Sequence, residues 1–87
     1  MTTVVAVHKV EDVANWLKSS RRAEFFDAHG MTVRTFVHPD GANRVALIIE
    51  NVPSLEALTK ALQSADAAKA MKHDGVLPDT VELFVAS

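Results

Sequence analysis

Four histidines are the residues of this sequence best suited to acid–base or metal chemistry, because imidazole titrates near neutral pH and binds metal ions. They are His8, His29, His38 and His73. No two of them lie two residues apart on a strand or four apart on a helix, and the chain has no cysteine. The sequence therefore predicts no metal site. With only three glycines it also lacks a glycine-rich phosphate loop, so we expect no cofactor.

His8 is the candidate catalytic residue. It ends the first predicted strand just before the first predicted helix, near Trp16, where the mouth of a pocket would lie. There it could act as a general base or as a hydrogen-bonding group at the rim. The alternative is a structural histidine whose ring is satisfied by the backbone or by Asp12. His29 and His73 stand near the ends of predicted helices, where a cationic side chain is favoured.

The spacing of apolar residues and the turn residues predict six elements in the order β-α-β-β-α-β. The predicted strands are residues 3–8, 31–38, 44–51 and 80–86, and the predicted helices are residues 12–28 and 54–73. A turn at 39–43 joins the two middle strands, with Gly41 able to adopt positive φ.

Polar residues are expected to begin or interrupt the helices. Asp12 is placed to cap the first helix, whereas Ser19 and Ser20 should loosen its middle. Ser64 could restart the second helix.

The element order predicts an α+β fold of ferredoxin-like type, with an antiparallel sheet carrying both helices on one face. The absence of linkers predicts a single domain over residues 1–87.

The predicted sheet is apolar on both faces. One alternating set is almost purely apolar and is assigned to the helix side: Val33, Thr35, Val37, Val45, Leu47, Ile49, Val81, Leu83 and Val85. The opposite set has apolar residues in the middle and charges toward the ends. From it we predict the interface residues of a sheet-to-sheet homodimer: Arg34, Phe36, His38, Ile48, Glu82 and Phe84. The alternative is a monomer with an unusually apolar sheet.

The charged residues and the histidine on that second face have predicted partners. Arg34 and Glu82 should form an ion pair if a dimer buries them, although Arg34 could instead bind a substrate carboxylate. His38 should face Glu50 or Glu82 of either subunit.

Several stretches resemble the small dimeric α/β-barrel proteins of the antibiotic-biosynthesis-monooxygenase-like and cyclase-like kind. They are residues 7–12 (Val-His-Lys-Val-Glu-Asp) with Trp16 one helical turn on, Gly30-Met31 before the second strand, and the serine-started helix extension ending at Asp74-Gly75-Val76. The resemblance covers essentially the whole chain. It implies two ferredoxin-like units joined sheet to sheet into an α/β barrel, with a small pocket between sheet and helices in each.

The resemblance also implies a choice of functions. Members include cofactor-free oxygenases, haem-degrading enzymes and cyclases, and the oxygenases use Asn and Trp from the second helix with Tyr and Arg nearby. The second helix here has no Asn, Trp or Tyr, and His73 is its only candidate for haem chemistry. Four residues are predicted to line the implied pocket and bind the ligand: Trp16, Phe26, Met71 and His73. The alternative for the aromatic and methionine side chains is that they belong to the ordinary hydrophobic core.

Charge and composition limit the classes of partner that this chain is expected to bind. A formal charge of −2 gives no long-range attraction to nucleic acid. The basic clusters Arg21-Arg22 and Lys69/Lys72/His73 are expected to be solvated. No apolar run is long enough for a membrane span and no signal-like start is present, so the expected location is the cytoplasm.

Three functions follow as hypotheses. The first is a dimer that binds a hydrophobic or aromatic small molecule between sheet and helices. The second is a cofactor-independent monooxygenase or cyclase acting on polyketide-like aromatics, with His8 as base. The third is a non-enzymatic stress-related or regulatory dimer.

Overall fold

The computed structural model describes residues 1–40 and 42–86. Its strands are β1 (Thr2–Lys9), β2 (Thr32–Val37), β3 (Arg44–Val52) and β4 (Glu82–Val85). Its helices are α1 (Val13–Lys18), α2 (Arg21–Ala28), α3 (Leu55–Leu62) and α4 (Ala65–Asp74), and a short 3-10 helix covers Pro78–Thr80. The predicted β-α-β-β-α-β order is confirmed, with each predicted helix divided into two.

The four strands form one antiparallel sheet in the order β2-β3-β1-β4. The central strands β1 and β3 pair along most of their length, and β2 and β4 are the edges. Each strand–helix–strand connection therefore crosses over one neighbouring strand and leaves its helices on the same face of the sheet. This is the ferredoxin-like α+β fold predicted from the sequence.

The breaks in the helices lie at the predicted serines. The first predicted helix ends at Lys18 and resumes at Arg21, so Ser19 and Ser20 interrupt it rather than loosen it. Ser64 restarts the second, because its Oγ accepts a hydrogen bond from the backbone N–H of Ala67 at 3.2 Å.

The last strand is shorter than predicted. Its predicted start at Thr80 belongs instead to the 3-10 helix, because Pro78 favours a helical turn at that point. The Thr80 hydroxyl accepts a hydrogen bond from the N–H of Lys9 at 2.9 Å and donates to the carbonyl of Leu77 at 2.6 Å. These bonds tie the segment before β4 to the end of β1. The positive φ predicted for Gly41 lies outside the described residues.

The hydrophobic core lies between the sheet and the helices. It contains the helix-side residues of the central strands together with helix residues, among them Val4, Leu47, Ile49, Trp16, Phe26 and Leu58. The assignment of faces is therefore confirmed at the centre of the sheet. At the ends of the sheet the helices cover less than this assignment predicts, because Val37 and Val85 point to the helix side and remain exposed.

The other face, here called the open face, has no helix over it. Its centre consists of two rows that cross all four strands: Arg34–Ile48–Val5–Phe84 and Phe36–Ala46–Val7–Glu82. Six of these eight residues are apolar, and the side chains of Phe36 and Phe84 are 45% and 55% exposed. Within the described part of the chain, no helix has the length and apolar character needed to cross a membrane.

Candidate functional site

A cavity of about 80 Å³ lies between the sheet and the helices. Most of its wall is apolar: Ala6, Trp16, Phe25, Phe26, Leu47, Ile49, Leu62, Ala67, Ala70, Met71, Val76, Val81 and Leu83. Three polar side chains complete the lining, namely His8, Arg22 and Asp74. A mostly apolar cavity with a few converging polar groups is the usual form of a small-molecule site.

His8 reaches the cavity from the end of β1, where strand alternation turns its side chain toward the helices. The ring is buried and packs edge-to-face against Trp16, with the ring centroids 5.8 Å apart. Its Nδ1 lies 3.4 Å from the carbonyl oxygen of Lys9. Nε2 makes no hydrogen bond to a described residue, and no fully buried polar side-chain atom of those residues lacks a partner. Nε2 therefore retains accessible surface.

Burial lowers the pKa of His8; the hydrogen bond to the Lys9 carbonyl opposes part of this effect, and the nearby positive charge of Arg22 adds a smaller lowering. The imidazole is thus neutral at neutral pH. A neutral imidazole can donate a hydrogen bond or accept a proton, whereas an imidazolium can only donate. This is the state that a general base or a hydrogen-bonding anchor requires.

Arg22 lies over the other side of Trp16, with its Cζ 3.9 Å from the centre of the indole ring. Its Nη1 and Nη2 donate to the carbonyl oxygen of Trp16 at 3.2 and 3.3 Å. That carbonyl belongs to the last turn of α1, where its only backbone donor among the described residues is the N–H of Ser19 at 3.4 Å. The guanidinium therefore fastens the break between α1 and α2 while facing the cavity.

Asp74 holds the same guanidinium from α4. Its Oδ2 lies 3.4 Å from Nη1 of Arg22, and the side chains of Asp74 and Arg22 are only 4% and 10% exposed. Its other oxygen, Oδ1, is 3.0 Å from Nδ1 of His73. Burial lowers the pKa of Arg22 and the charge of Asp74 partly offsets this, but arginine stays protonated in either case. The pair places two opposite charges at one end of an apolar cavity.

The predicted ligand-binding residues are only partly brought together. Trp16, Phe26 and Met71 line the cavity, and His8 joins them. His73 does not line it, because at the end of α4 its side chain points outward, half exposed, and reaches only Asp74. Of the two structural partners predicted for His8, the backbone is the one observed, because Nδ1 lies at the Lys9 carbonyl, whereas Asp12 caps α1 through the N–H of Asn15.

Sequence reasoning missed Arg22 and Asp74. Arg22 was expected to be solvated as part of a basic cluster, and that prediction is wrong. The available signal was helical spacing: Arg22 precedes Phe26 by four residues, and Asp74 follows Ala70 by four. Both charges thus continue an apolar stripe, which is the position of a buried charge rather than a solvated one.

A second, shallower hollow of about 500 Å³ lies at one end of the open face. The predicted interface residues Phe36, His38 and Glu82 line it, together with Lys9, Arg44 and others. His38 does not face Glu50 or Glu82 in this chain; its Nδ1 lies 2.6 Å from Oδ1 of Asp40 and its Nε2 is 3.1 Å from Arg44.

The ion pair of Arg34 also differs from the prediction within one chain. Its Nε lies 3.4 Å from Glu50, a diagonal neighbour on β3 whose register partner is Thr32, and both side chains are well exposed. Glu82 stands in the other row on the opposite edge strand, too far along the sheet to pair with it. In the described part of the chain, no three His, Asp or Glu side chains come together as metal ligands.

The pKa of His8 predicts how stability depends on pH. Because the folded chain holds the His8 pKa below the usual value of about 6.5, the unfolded chain binds more protons as the pH falls below that value. The free energy of unfolding should therefore decrease from about pH 7 toward pH 5, where carboxylates are still largely ionised. Urea unfolding across this range measures the effect.

The controls are glutamine variants of two histidines. His8→Gln should flatten the decrease between about pH 7 and pH 5. His29→Gln, at an exposed position after α2, should keep it. An unchanged slope in His8→Gln would show that His8 does not carry the pH dependence.

Comparison with known proteins supports the fold. None of the known family models matches this chain, and no curated protein matches it. Its structure is similar to a solved crystal structure of an antibiotic biosynthesis monooxygenase, with a TM-score of 0.63 over 100% of this chain and 97% of that one. The two sequences are 13% identical. The likeness confirms the ferredoxin-like fold expected from the resemblance.

Proposed function

We propose that this chain binds a small, largely apolar molecule in the cavity between sheet and helices, with His8 as its polar anchor. The observation that carries the proposal is the neutral His8 imidazole, whose Nε2 has no partner among the described residues, on the wall of a mostly apolar cavity. Nδ1 of this neutral ring donates to the Lys9 carbonyl, so the accessible Nε2 is free to accept a hydrogen bond. A ligand hydroxyl group could donate it.

The cavity volume sets the size of that molecule. At about 80 Å³ it is smaller than the 300–1,000 Å³ of pockets for drug-sized ligands. A cavity of about 150 Å³ holds benzene. A single ring fits only with small shifts of the partly buried Phe25, Met71 or Leu83. A polycyclic polyketide-like aromatic would require the helices to separate from the sheet.

The test compares phenol with toluene, which differ by one hydroxyl group. The only tryptophan, Trp16, lies in the cavity wall, so its indole N–H resonance reports binding there. We expect saturable shifts with both compounds and roughly three- to tenfold tighter binding of phenol, as one hydrogen bond provides. 1-Naphthol should bind more weakly than phenol.

Two variants locate the anchor. His8→Phe should remove the preference for phenol over toluene, because it keeps a ring and removes both ring nitrogens. His29→Phe, on the surface, should preserve the preference. If no compound shifts the Trp16 resonance saturably, the binding proposal fails and a non-enzymatic dimer is the remaining hypothesis.

Catalysis is the second candidate, and the lowered pKa of His8 favours it, since a neutral imidazole can remove a proton from a bound ligand. The monooxygenase with a similar structure makes an oxygenase or cyclase the reaction to consider. The same titrations distinguish the two cases. A ligand that is consumed by the native chain and not by His8→Phe indicates an enzyme; a ligand recovered intact indicates a binding protein.

We also propose that the chain forms a sheet-to-sheet homodimer through the open face. Its support is the apolar centre of that face, where Phe36 and Phe84 remain 45% and 55% exposed, because a contiguous exposed apolar patch is typical of an interaction surface. The charges support a two-fold partner as well. Arg34 and Glu82 occupy opposite corners of the two central rows, so a two-fold axis between the sheets can place each opposite the other's copy.

A further inference from the structure

We propose that the cavity selects neutral ligands that carry a hydrogen-bond acceptor and rejects carboxylates, because Asp74 already balances the charge of Arg22 within it. The inference rests on the proposed binding function and concerns the class of ligand. Its basis is the arrangement of the three polar side chains at one end of the cavity.

The hydrogen-bond donors of this end are in excess. A guanidinium has five N–H donors, and Arg22 uses three of them, two on the Trp16 carbonyl and one on Asp74. The other two have no partner among the described residues, so an acceptor such as a carbonyl, amide or hydroxyl oxygen suits them. Nε2 of His8 also has no partner among those residues. Because Nδ1 of the neutral imidazole donates to the Lys9 carbonyl, Nε2 carries the lone pair and accepts from an N–H or O–H of the same ligand, which an amide supplies and a carboxylate does not.

Both carboxylate oxygens of this end are already occupied. Asp74 is buried, its Oδ2 accepts from Arg22, and its Oδ1 lies within hydrogen-bond distance of His73. The pair Arg22–Asp74 has no net charge. Its carboxylate would stand beside any anion that approached the guanidinium.

A carboxylate ligand would thus enter an apolar cavity without a cation of its own. Removing a charge from water costs several kcal/mol unless an opposite charge compensates it. The neutral His8 supplies none, and Asp74 adds repulsion from a second negative group. An amide of the same shape avoids both effects and keeps the acceptor oxygen that the donors require.

The experiment titrates the native chain at about pH 8, above the usual titration range of histidine, with matched amide and carboxylate ligands. The pairs are butyramide with butyrate and benzamide with benzoate, and the Trp16 indole N–H resonance is followed at constant ionic strength. We expect each amide to bind at least roughly tenfold more tightly than its carboxylate, a difference of about 1.4 kcal/mol. Asp74→Asn should reverse the order, because it frees the charge of Arg22. Asp66→Asn, exposed on α4, should leave it unchanged.

The outcomes separate this inference from the function on which it rests. A carboxylate that binds the native chain as tightly as its amide overturns the ligand class and leaves cavity binding intact. Absence of saturable shifts with all four compounds overturns both. If Asp74→Asn does not fold, the uncharged double variant Arg22→Gln/Asp74→Asn takes its place. It should retain the preference for amides, and a preference for carboxylates in it would contradict the proposal.

Discussion

Replacing Ile48 with glutamate should convert a dimer of this chain into monomers at micromolar concentration. Ile48 is half-buried at the centre of the open face, where its register partners are Val5 and Arg34. A sheet-to-sheet contact would bury the new carboxylate together with its two-fold copy, so two like charges would be desolvated at once. Several kcal/mol of lost association energy is expected, which raises the dissociation constant by a factor on the order of a thousand.

The measurement is molar mass by light scattering during size-exclusion chromatography, across a range of protein concentrations. Leu17→Glu is the matched control, because Leu17 is an apolar side chain 49% exposed on α1, away from the open face. It should remain dimeric. A native chain that elutes as a monomer at micromolar concentration would contradict the dimer, whatever the variants do.

A charge exchange tests the geometry of the same interface. If Arg34 of one copy faces Glu82 of the other, Arg34→Glu should weaken the dimer, and adding Glu82→Arg should recover part of the loss. The pair that Arg34 makes with Glu50 inside one chain is exposed at both ends and contributes little, so it does not mask the effect. Failure of the double variant to recover would mean that another pairing holds the copies together.

The fold could be predicted from local signals because each of them agrees with the next. The serines at 19, 20 and 64 interrupt helices, Gly75 ends α4 with a φ of +72°, and the alternation along β3 separates a buried face from an open one. The ends of elements were less predictable. Pro78 begins a 3-10 turn that shortens β4. The last residue of that turn, Thr80, is hydrogen-bonded to Lys9, which is distant in sequence.

The candidate site could be predicted only where one element determined the direction of a side chain. Strand alternation turned His8 toward the helices, and helical spacing turned Trp16, Phe26 and Met71 inward. Arg22 and Asp74 are 52 residues apart and meet only through the packing of α2 on α4. A charge within an apolar stripe indicates a buried partner, but the sequence does not identify which residue it is. His73 directly precedes the buried Asp74, but its own side chain faces solvent.

The variant Asp74→Ala should destabilise the chain by about 3–5 kcal/mol, the usual loss when one partner of a buried ion pair is removed. The small exposure of both side chains, 4% for Asp74 and 10% for Arg22, is what justifies that range rather than the 0–1 kcal/mol of a surface pair. Domains have only about 5–15 kcal/mol of stability, so the urea midpoint should fall severely. Protein concentration must be held constant, because dimerisation would add to the measured stability.

Two further variants distinguish the lost pair from a general weakness of α4. Asp66→Ala removes an exposed carboxylate from the first turn of the same helix and should cost about 1 kcal/mol or less. Arg22→Met/Asp74→Leu removes both charges and should recover much of the loss, because the cavity wall around them is already apolar. The Trp16 carbonyl loses its guanidinium donors in that variant, so recovery should stop short of the native value by about 1–2 kcal/mol. If Asp74→Ala costs no more than Asp66→Ala, Arg22 is satisfied without its carboxylate, and the charge balance assigned to the cavity is incorrect.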